Sequence, residues 1–224
     1  MKKKISLILS KIFSIYINFR YLPFRTAKKL PMLFYWKTKV KIINGSSIKF
    51  TDTPNRFTFR FGVDESFSLP SNDKNIFYLN KSNIELSSEG LIEIRKGSII
   101  SLNHANVYVG KNFYANNNFF LESFKEILIG DNSMFGYEVS IRDSDGHIFN
   151  GMRESSSSEI NIGKEVWIGA KSTILKGSTI KNGVVVGYGS LTTKRSNHHE
   201  EKDCIAGHPA KVIKSNVTWS REQP

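Results

Sequence analysis

The most regular pattern of apolar and polar positions lies between residues 160 and 191, INIGKEVWIGAKSTILKGSTIKNGVVVGYGSL, where β-branched aliphatics recur at Ile162, Ile168, Ile174, Ile180 and Val186. Four residues after each stands a small or β-branched side chain: Val166, Ser172, Ser178, Val184 and Ser190. Neither the helical period of about 3.6 nor the strand period of 2 produces a repeat of six. The pattern predicts a hexapeptide solenoid. Each six is a short flat strand plus a corner, three sixes make a triangular coil, and stacked coils pair in parallel about 4.8 Å apart. The aliphatic column then fills the prism. The same phase recurs at Ile129, Phe135 and Ile141 and at Val109, Ala115 and Leu121, with a looser start at Ile94 and Ile100. Glycines in the second position, Gly130, Gly163, Gly169 and Gly187, are expected to relieve the backbone near the corners.

Two departures from this phase divide the chain. Between Ile141 and Ile162 lie more residues than the repeat can hold, so a loop over 142–161, containing DSDGHIFNGMRESSSSE, is pushed out of the coil. Residues 42–83 are less regular, with an Asn44-Gly45 turn and the alternation Phe57, Phe59, Phe61; they read as opening strands that cap the solenoid. The expected organisation is therefore an N-terminal segment 1–41, opening strands 42–83, a repeat β-helix 84–214 and a tail 215–224. Within the first segment the apolar run Ile5, Leu7, Ile8, Leu9, Ile12, Phe13, Ile15, Tyr16, Ile17 and Phe19 is interrupted by Ser10, Lys11, Ser14 and Asn18. That is too short and too broken for the roughly 20 apolar residues of a membrane span. No small-residue cleavage site follows it, so secretion is not expected.

Charge changes the picture more than composition does. The 224 residues include a single cysteine, Cys204, which excludes a disulfide framework and a cysteine-built zinc site and fits a reducing, cytoplasmic setting. The net charge is +12, yet eleven of the 32 basic side chains lie in residues 1–41, before the first acid at Asp52, leaving 21 basic against 20 acidic residues in the body. A nucleic-acid enzyme would carry its positive face on the folded domain, so nucleic acid is not an expected partner. The basic residues of 1–41 are interleaved with Tyr21, Phe24, Phe34, Tyr35 and Trp36. This describes a helix lying on an anionic membrane face, or equally an amphipathic helix packed on its own body or on a neighbouring subunit.

The hexad array, the protruding DSDGH loop, the string EVWIGAKSTILKGSTIKNGVVVGYGSLTTK and the closing CIAGHPAKVIK together resemble the hexapeptide-repeat O-acetyltransferases, the group that includes maltose, galactoside and serine acetyltransferases and bacterial glycan-modifying enzymes. The resemblance covers about residues 84–214. It implies an all-β solenoid, a left-handed parallel β-helix with a short N-terminal helical segment and a C-terminal extension. It further implies a homotrimer with active sites between subunits, acetyl-CoA as acyl donor, and a sugar or glycan acceptor. His147 falls at the family's catalytic base, and an imidazole titrating near about 6.5 suits that work. Asp143 and Asp145 are candidates to orient the ring or meet a substrate hydroxyl, and both are equally explained as turn residues bonding their own backbone. NFYANNNFFLES resembles the family's acceptor segment and puts Asn116 against the sugar; Asn116–Asn118 also suit an asparagine ladder between coils. Glu122 lies near the acid of the sugar enzymes, although Phe124 occupies the matching position itself. Trp167, in the VWIG pattern, walls the acceptor or pantetheine slot, or else belongs to the core. The family's donor contacts fall on the main chain at Ala170 and Tyr188, on Thr193 and Lys194, and on Lys211 and Lys214, where lysine replaces arginine and loses its bidentate geometry. Tyr188 stands where a small residue is common.

Rival readings take other residues. Cys204 as an acyl-carrying nucleophile has no base beside it in the sequence. A zinc enzyme on the same solenoid would need three histidines on adjacent coils, but His104 and His147 are unaccompanied and His198, His199 and His208 lie in or beyond the terminal loop, so no metal is expected. HHEE reads as a solvated turn, and DSDG has its glycine at the wrong position for a calcium loop. A non-catalytic scaffold and, among enzymes, an N-acetyltransferase of a nucleotide sugar or a small-molecule (serine or antibiotic) acetyltransferase are the remaining alternatives. The favoured expectation is a cytoplasmic trimer that O-acetylates a sugar hydroxyl of a cell-envelope glycan or its precursor, held peripherally at the inner face of the membrane by residues 1–41.

Overall fold

The computed structural model describes residues 2–63, 74–148, 151 and 156–222; residues 64–73, inside the expected opening strands, and 149–150 and 152–155, inside the expected loop, lie outside them. Two helices, α1 (Lys2–Tyr21) and α2 (Phe24–Ala27), precede a succession of strands two to five residues long. Consecutive strands pass in rotation to a nine-stranded, a seven-stranded and a six-stranded sheet. One circuit is Tyr114–Ala115, Phe120–Ser123 and Glu126–Ile129. Among the described strands every pairing between circuits is parallel, and only the last two, Cys204–Gly207 and Ala210–Lys214, pair antiparallel. The molecule is a parallel β-helix with a triangular section.

The period of six is the packing of this prism. Phe135 pairs with Ile168 and Ile168 with Val186; Ile141 pairs with Ile174, and Ile162 with Ile180. All of them are buried, as are Val166, Ser172, Ser178, Val184 and Ser190 at the fourth position after. A serine fits there because its hydroxyl reaches the neighbouring backbone: Ser172 Oγ donates to the Gly187 carbonyl at 2.9 Å and accepts from the Ser190 amide at 3.2 Å. The second-position glycines have a different cause from the one expected. The left-handed backbone falls two residues later, at Glu165, Lys171, Gly177, Gly183 and Gly189, with φ between 56° and 74°. What the second position requires is space, since a Cβ on Gly130 would stand 2.6 Å from the carbonyl group of Gly163 in the next coil.

The stack also begins earlier than the repeats predict. Met32–Phe34 pairs with Phe59–Phe61, which pairs with Ile92–Ile94, and Lys39–Ile42 and Ser47–Phe50 supply the other two sides of a first coil. The described strands between Met32 and Leu86 therefore form two coils of the β-helix and not a cap ahead of it. Their repeat is masked because it is long and uneven: Val40 pairs with Phe77, whereas Ile162 reaches its partner only eighteen residues on. Their core is also aromatic, with Phe34, Phe59, Phe61 and Phe77 buried at ring separations of 5.3 to 6.3 Å.

Helix α1 closes the open end of this stack. Ser10, Ser14 and Asn18, four residues apart, share one face and are buried. Asn18 donates from Nδ2 to the Met32 carbonyl at 2.8 Å and accepts from the Met32 amide at 3.1 Å. The Phe34 amide donates to Ser14 Oγ at 2.8 Å and the Trp36 amide to Ser10 Oγ at 3.1 Å. The spacing matches because four helical residues rise about 6.0 Å and two strand residues about 6.6 Å. The edge groups that a first strand leaves unpaired are thus satisfied. Of the two expectations for the segment, packing on its own body is observed, through a face that combines Ser10, Ser14 and Asn18 with Ile17 and Phe13. Among the described residues no helix is long and apolar enough to cross a membrane.

Candidate active site

The chain leaves the prism after Ser140–Arg142, and Asp143 marks the exit. Its side chain is wholly buried and accepts from Ser123 Oγ at 2.5 Å and from the amides of Phe124, Lys125 and Glu126 at 2.7 to 2.9 Å. Four donors on two oxygens leave it no free face for an imidazole or a substrate. Asp143 is a structural anchor tying the loop to the corner of the preceding coil, which corrects the expectation of a chemical role. Two backbone bonds then pinch the loop: the Ser158 amide donates to the Asp143 carbonyl at 2.9 Å, and the Asp145 amide to the Ser156 carbonyl at 2.8 Å. His147 is held beyond the pinch, exposed. Asp145 is also exposed, and its carboxylate takes the Lys176 ammonium at 2.6 Å.

Two clefts take seven of the remaining candidates, Asp145, Thr193 and Lys194 in one and Asn116, Trp167, Ala170 and Tyr188 in the other. One, about 420 Å³, lies beside the loop and is lined by Asp145, Thr193 and Lys194 together with Arg142, Lys176 and Arg195. Thr193 caps the short turn Lys194–Ser196, its Oγ1 accepting from the Arg195 amide at 3.2 Å, so the two cations are presented from a fixed backbone. The other cleft, also about 420 Å³, lies on the nine-stranded sheet and brings together Asn116, Trp167, Ala170 and Tyr188 over a floor that includes Gly136, Gly169 and Gly187. Trp167 is 38% exposed and forms a wall, not core. Asn116 Oδ1 accepts the Asn117 amide at 2.8 Å, and a side-chain asparagine ladder joins Asn112 and Asn132, 3.0 Å apart. The Tyr188 hydroxyl is pulled below its usual range, first by a hydrogen bond with Tyr137 and then by Lys171. Glu122 faces neither cleft directly, because Arg142 grips it at 2.7 and 2.9 Å. Lys211 and Lys214 stand exposed on the final strand and line neither cleft.

Several features escaped the sequence. Lys176 and Arg195 had only the general signal of basic residues at outward positions. The tail folds back along the prism: Trp219 packs on Trp167 with ring centroids 6.0 Å apart and donates its indole N–H to the Glu165 carbonyl at 2.8 Å. Arg221 donates to the Ser133 carbonyl at 3.0 Å. His199 is not solvated but buried, with Nδ1 2.8 Å from the Ser196 carbonyl and Nε2 accepting the Lys181 amide, a pattern that assigns the proton to Nδ1. Burial pushes the Cys204 thiol up, with Lys214 partly opposing, which favours the unreactive protonated form.

No family model matches the chain. It is 33% identical to the galactoside O-acetyltransferase of Escherichia coli K12 over 49% of its own length and 54% of that enzyme's. It is 34% identical to a polysialic acid O-acetyltransferase of Escherichia coli O1:K1, over 56% of the chain and 42% of that protein. The chain thus spans about half the length of the curated enzymes it matches. An uncharacterized 24.8 kDa protein in the cps region of Klebsiella pneumoniae is 31% identical over 91% of this chain and 87% of its own. Joined to a parallel β-helix whose core repeats every six residues, these likenesses identify the chain as a member of the hexapeptide-repeat O-acetyltransferase family.

Proposed function

We propose that the protein transfers an acetyl group from acetyl-CoA to a sugar hydroxyl of a cell-envelope glycan or its precursor, with His147 as general base. The observation that carries this reading is the siting of His147: it projects from a loop pinned at a buried carboxylate, and the root of that loop borders a cleft bearing Lys194 and Arg195. The imidazole accepts the hydroxyl proton while the sugar oxygen bonds to the acetyl carbonyl carbon. The carbon–sulfur bond breaks, and the proton passes from the imidazolium to the departing thiolate. Glycan acceptors are supported by the relatives named for galactoside and polysialic acid.

The residues present suit the donor. Lys194 and Arg195, with Thr193, offer charge and a hydroxyl to phosphates, and Lys211 and Lys214 are further cations for the same groups. The glycine floor at Gly169 and Gly187, beside Ala170, Trp167 and Tyr188, admits an extended chain close to the backbone. Asn116 and Trp167 are assigned to the acceptor. Glu122 holds Arg142, and Asp145 holds Lys176, at the loop root beside the other cleft. The two clefts occupy different faces of one prism, which supports a homotrimer in which the His147 side of one protomer closes the Trp167 side of the next. The setting assigned is cytoplasmic.

The test is thiol release from acetyl-CoA against a panel of glycans and small acceptors, with wild type and His147→Ala in parallel. Acceptor-dependent release lowered about 10²–10⁴-fold in the variant is the expected result. Equal release by both proteins on a working acceptor overturns the assignment of the base.

A further inference from the structure

We propose that the outward face of α1 is a docking surface for an anionic lipid bilayer, and that α1 lies in the headgroup region with its apolar side chains inserted. The side of the helix that carries Ser10, Ser14, Ile17 and Asn18 is buried against the first strand, and the apolar side chains of the opposite side face outward. Ile5, Ile8, Leu9, Ile12, Ile15, Tyr16 and Phe19 are 38 to 61% exposed. At about 100° per residue these seven positions form a single stripe about 120° wide. Phe24, exposed and 6.0 Å from Phe19, extends it, and Trp36 borders it, with the Lys37 ammonium over its ring.

Charge decides what covers this stripe. Lys4 and Lys11 project along one margin and Arg20 along the other, all exposed, and Arg25, Lys28 and Lys29 continue the basic rim. No acid precedes Asp52, so a second copy would bring like charge against like, whereas anionic headgroups meet the rim with opposite charge. An apolar stripe bounded on both sides by cations and edged by aromatics suits the boundary between headgroups and acyl chains. The hydrogen bonds between α1 and the strand residues Met32, Phe34 and Trp36 run along the stacking direction, so the stripe faces away from the prism along its axis. The strand of Trp167 lies five steps along the nine-stranded sheet from Met32–Phe34, about 24 Å at the stacking distance, so its cleft stays clear of the bilayer when the helix is docked. The inference concerns residues 1–41 alone and does not rest on acyl transfer.

The experiment is co-sedimentation of the full chain with phosphatidylcholine vesicles, with and without about one-third phosphatidylglycerol, in the absence of acetyl-CoA. Wild type is expected to bind the anionic vesicles at least about tenfold more tightly than the neutral ones. Ile8→Glu/Ile12→Glu/Ile15→Glu, all on the exposed stripe, is expected to lose at least about tenfold in vesicle affinity with an unchanged circular dichroism spectrum. Lys11→Gln/Arg20→Gln tests charge while leaving the stripe intact; at about fivefold per cation it is expected to lose about 25-fold on anionic vesicles alone. Vesicle binding unchanged by the glutamates overturns the proposal. So does a wild type that ignores vesicles but doubles its assembly mass in a stripe-dependent way, because the stripe then meets a second copy.

Discussion

Asp143 accepts a 2.5 Å hydrogen bond from Ser123, its neighbour one coil earlier, so the root of the expelled loop is fastened to the coil beneath it by a buried carboxylate. The same carboxylate takes three successive amides of the corner Phe124–Glu126. Asp143→Ala strands those donors in the interior. The expected cost is about 3–5 kcal/mol, on the order of 10 °C in Tm, whereas Ser123→Ala removes one donor and costs about 1.5–2 kcal/mol. Thermal unfolding of the two variants checks the ratio. A Tm unchanged in Asp143→Ala would contradict the anchoring role.

Trp219 is the tail's hold on the candidate acceptor wall. With its ring against Trp167 and its N–H on the Glu165 carbonyl, it fixes one side of the cleft that holds Asn116 and Ala170. Trp219→Ala frees Trp167 to move without touching the loop that bears His147. The expected kinetic result is a rise in KM of about three- to tenfold with kcat within about twofold. A kcat loss comparable to that of His147→Ala would instead place the tail in the chemistry.

How much of this is legible in the sequence depends on the range of the forces involved. Ile162, Ile168, Ile174, Ile180 and Val186 announce the prism because one aliphatic per side must point inward, and all five are buried. Trp167, Ala170, Tyr188 and Asn116, which the family resemblance divides between acceptor and donor, meet in one cleft. Phe34, Phe59, Phe61 and Phe77 perform the same inward task, but insertions between them destroy the period, so the first two coils look like a cap in sequence. Asp143 is ambiguous there because a surface turn and a buried anchor use the same residue type. Helix α1 is legible as a helix, yet the burial of its serines cannot be read without the edge strand they satisfy.

The glycines allow two causes to be separated by stability. Gly130→Ala sets a Cβ 2.6 Å from the Gly163 carbonyl group, and both partners are backbone in stacked coils that cannot give way. The expected cost is about 3 kcal/mol. At Gly189, with φ +65°, an added Cβ would meet nothing within 4 Å, so only the left-handed conformation is at stake. Gly189→Asn, which tolerates that conformation, is expected to cost under about 1 kcal/mol. Denaturant midpoints for the pair measure this, and comparable losses in both would refute the division.

Asp203 links acid to the tail. Its carboxyl is held below the ordinary aspartate range, first by the Glu200 amide, which donates to Oδ2 at 2.8 Å, and next by the Ser215 hydroxyl. Ser215 opens the segment that carries Trp219, and the Val217 amide donates to the Lys202 carbonyl beside Asp203 at 2.7 Å. A folded-state value below the unfolded one means that the native form resists protonation. The contribution is therefore complete above the unfolded value, about 3.9, and is lost as pH falls through the lower folded value. Asp203→Asn cannot ionise, so its Tm is expected to lie below wild type at neutral pH, with the gap closing as both are taken below about pH 4. Tryptophan fluorescence is expected to report release of the tail in the same acid range in wild type, and at neutral pH in the variant. A gap that stays constant from neutral to acid pH would show that the carboxylate's charge contributes nothing to holding the tail.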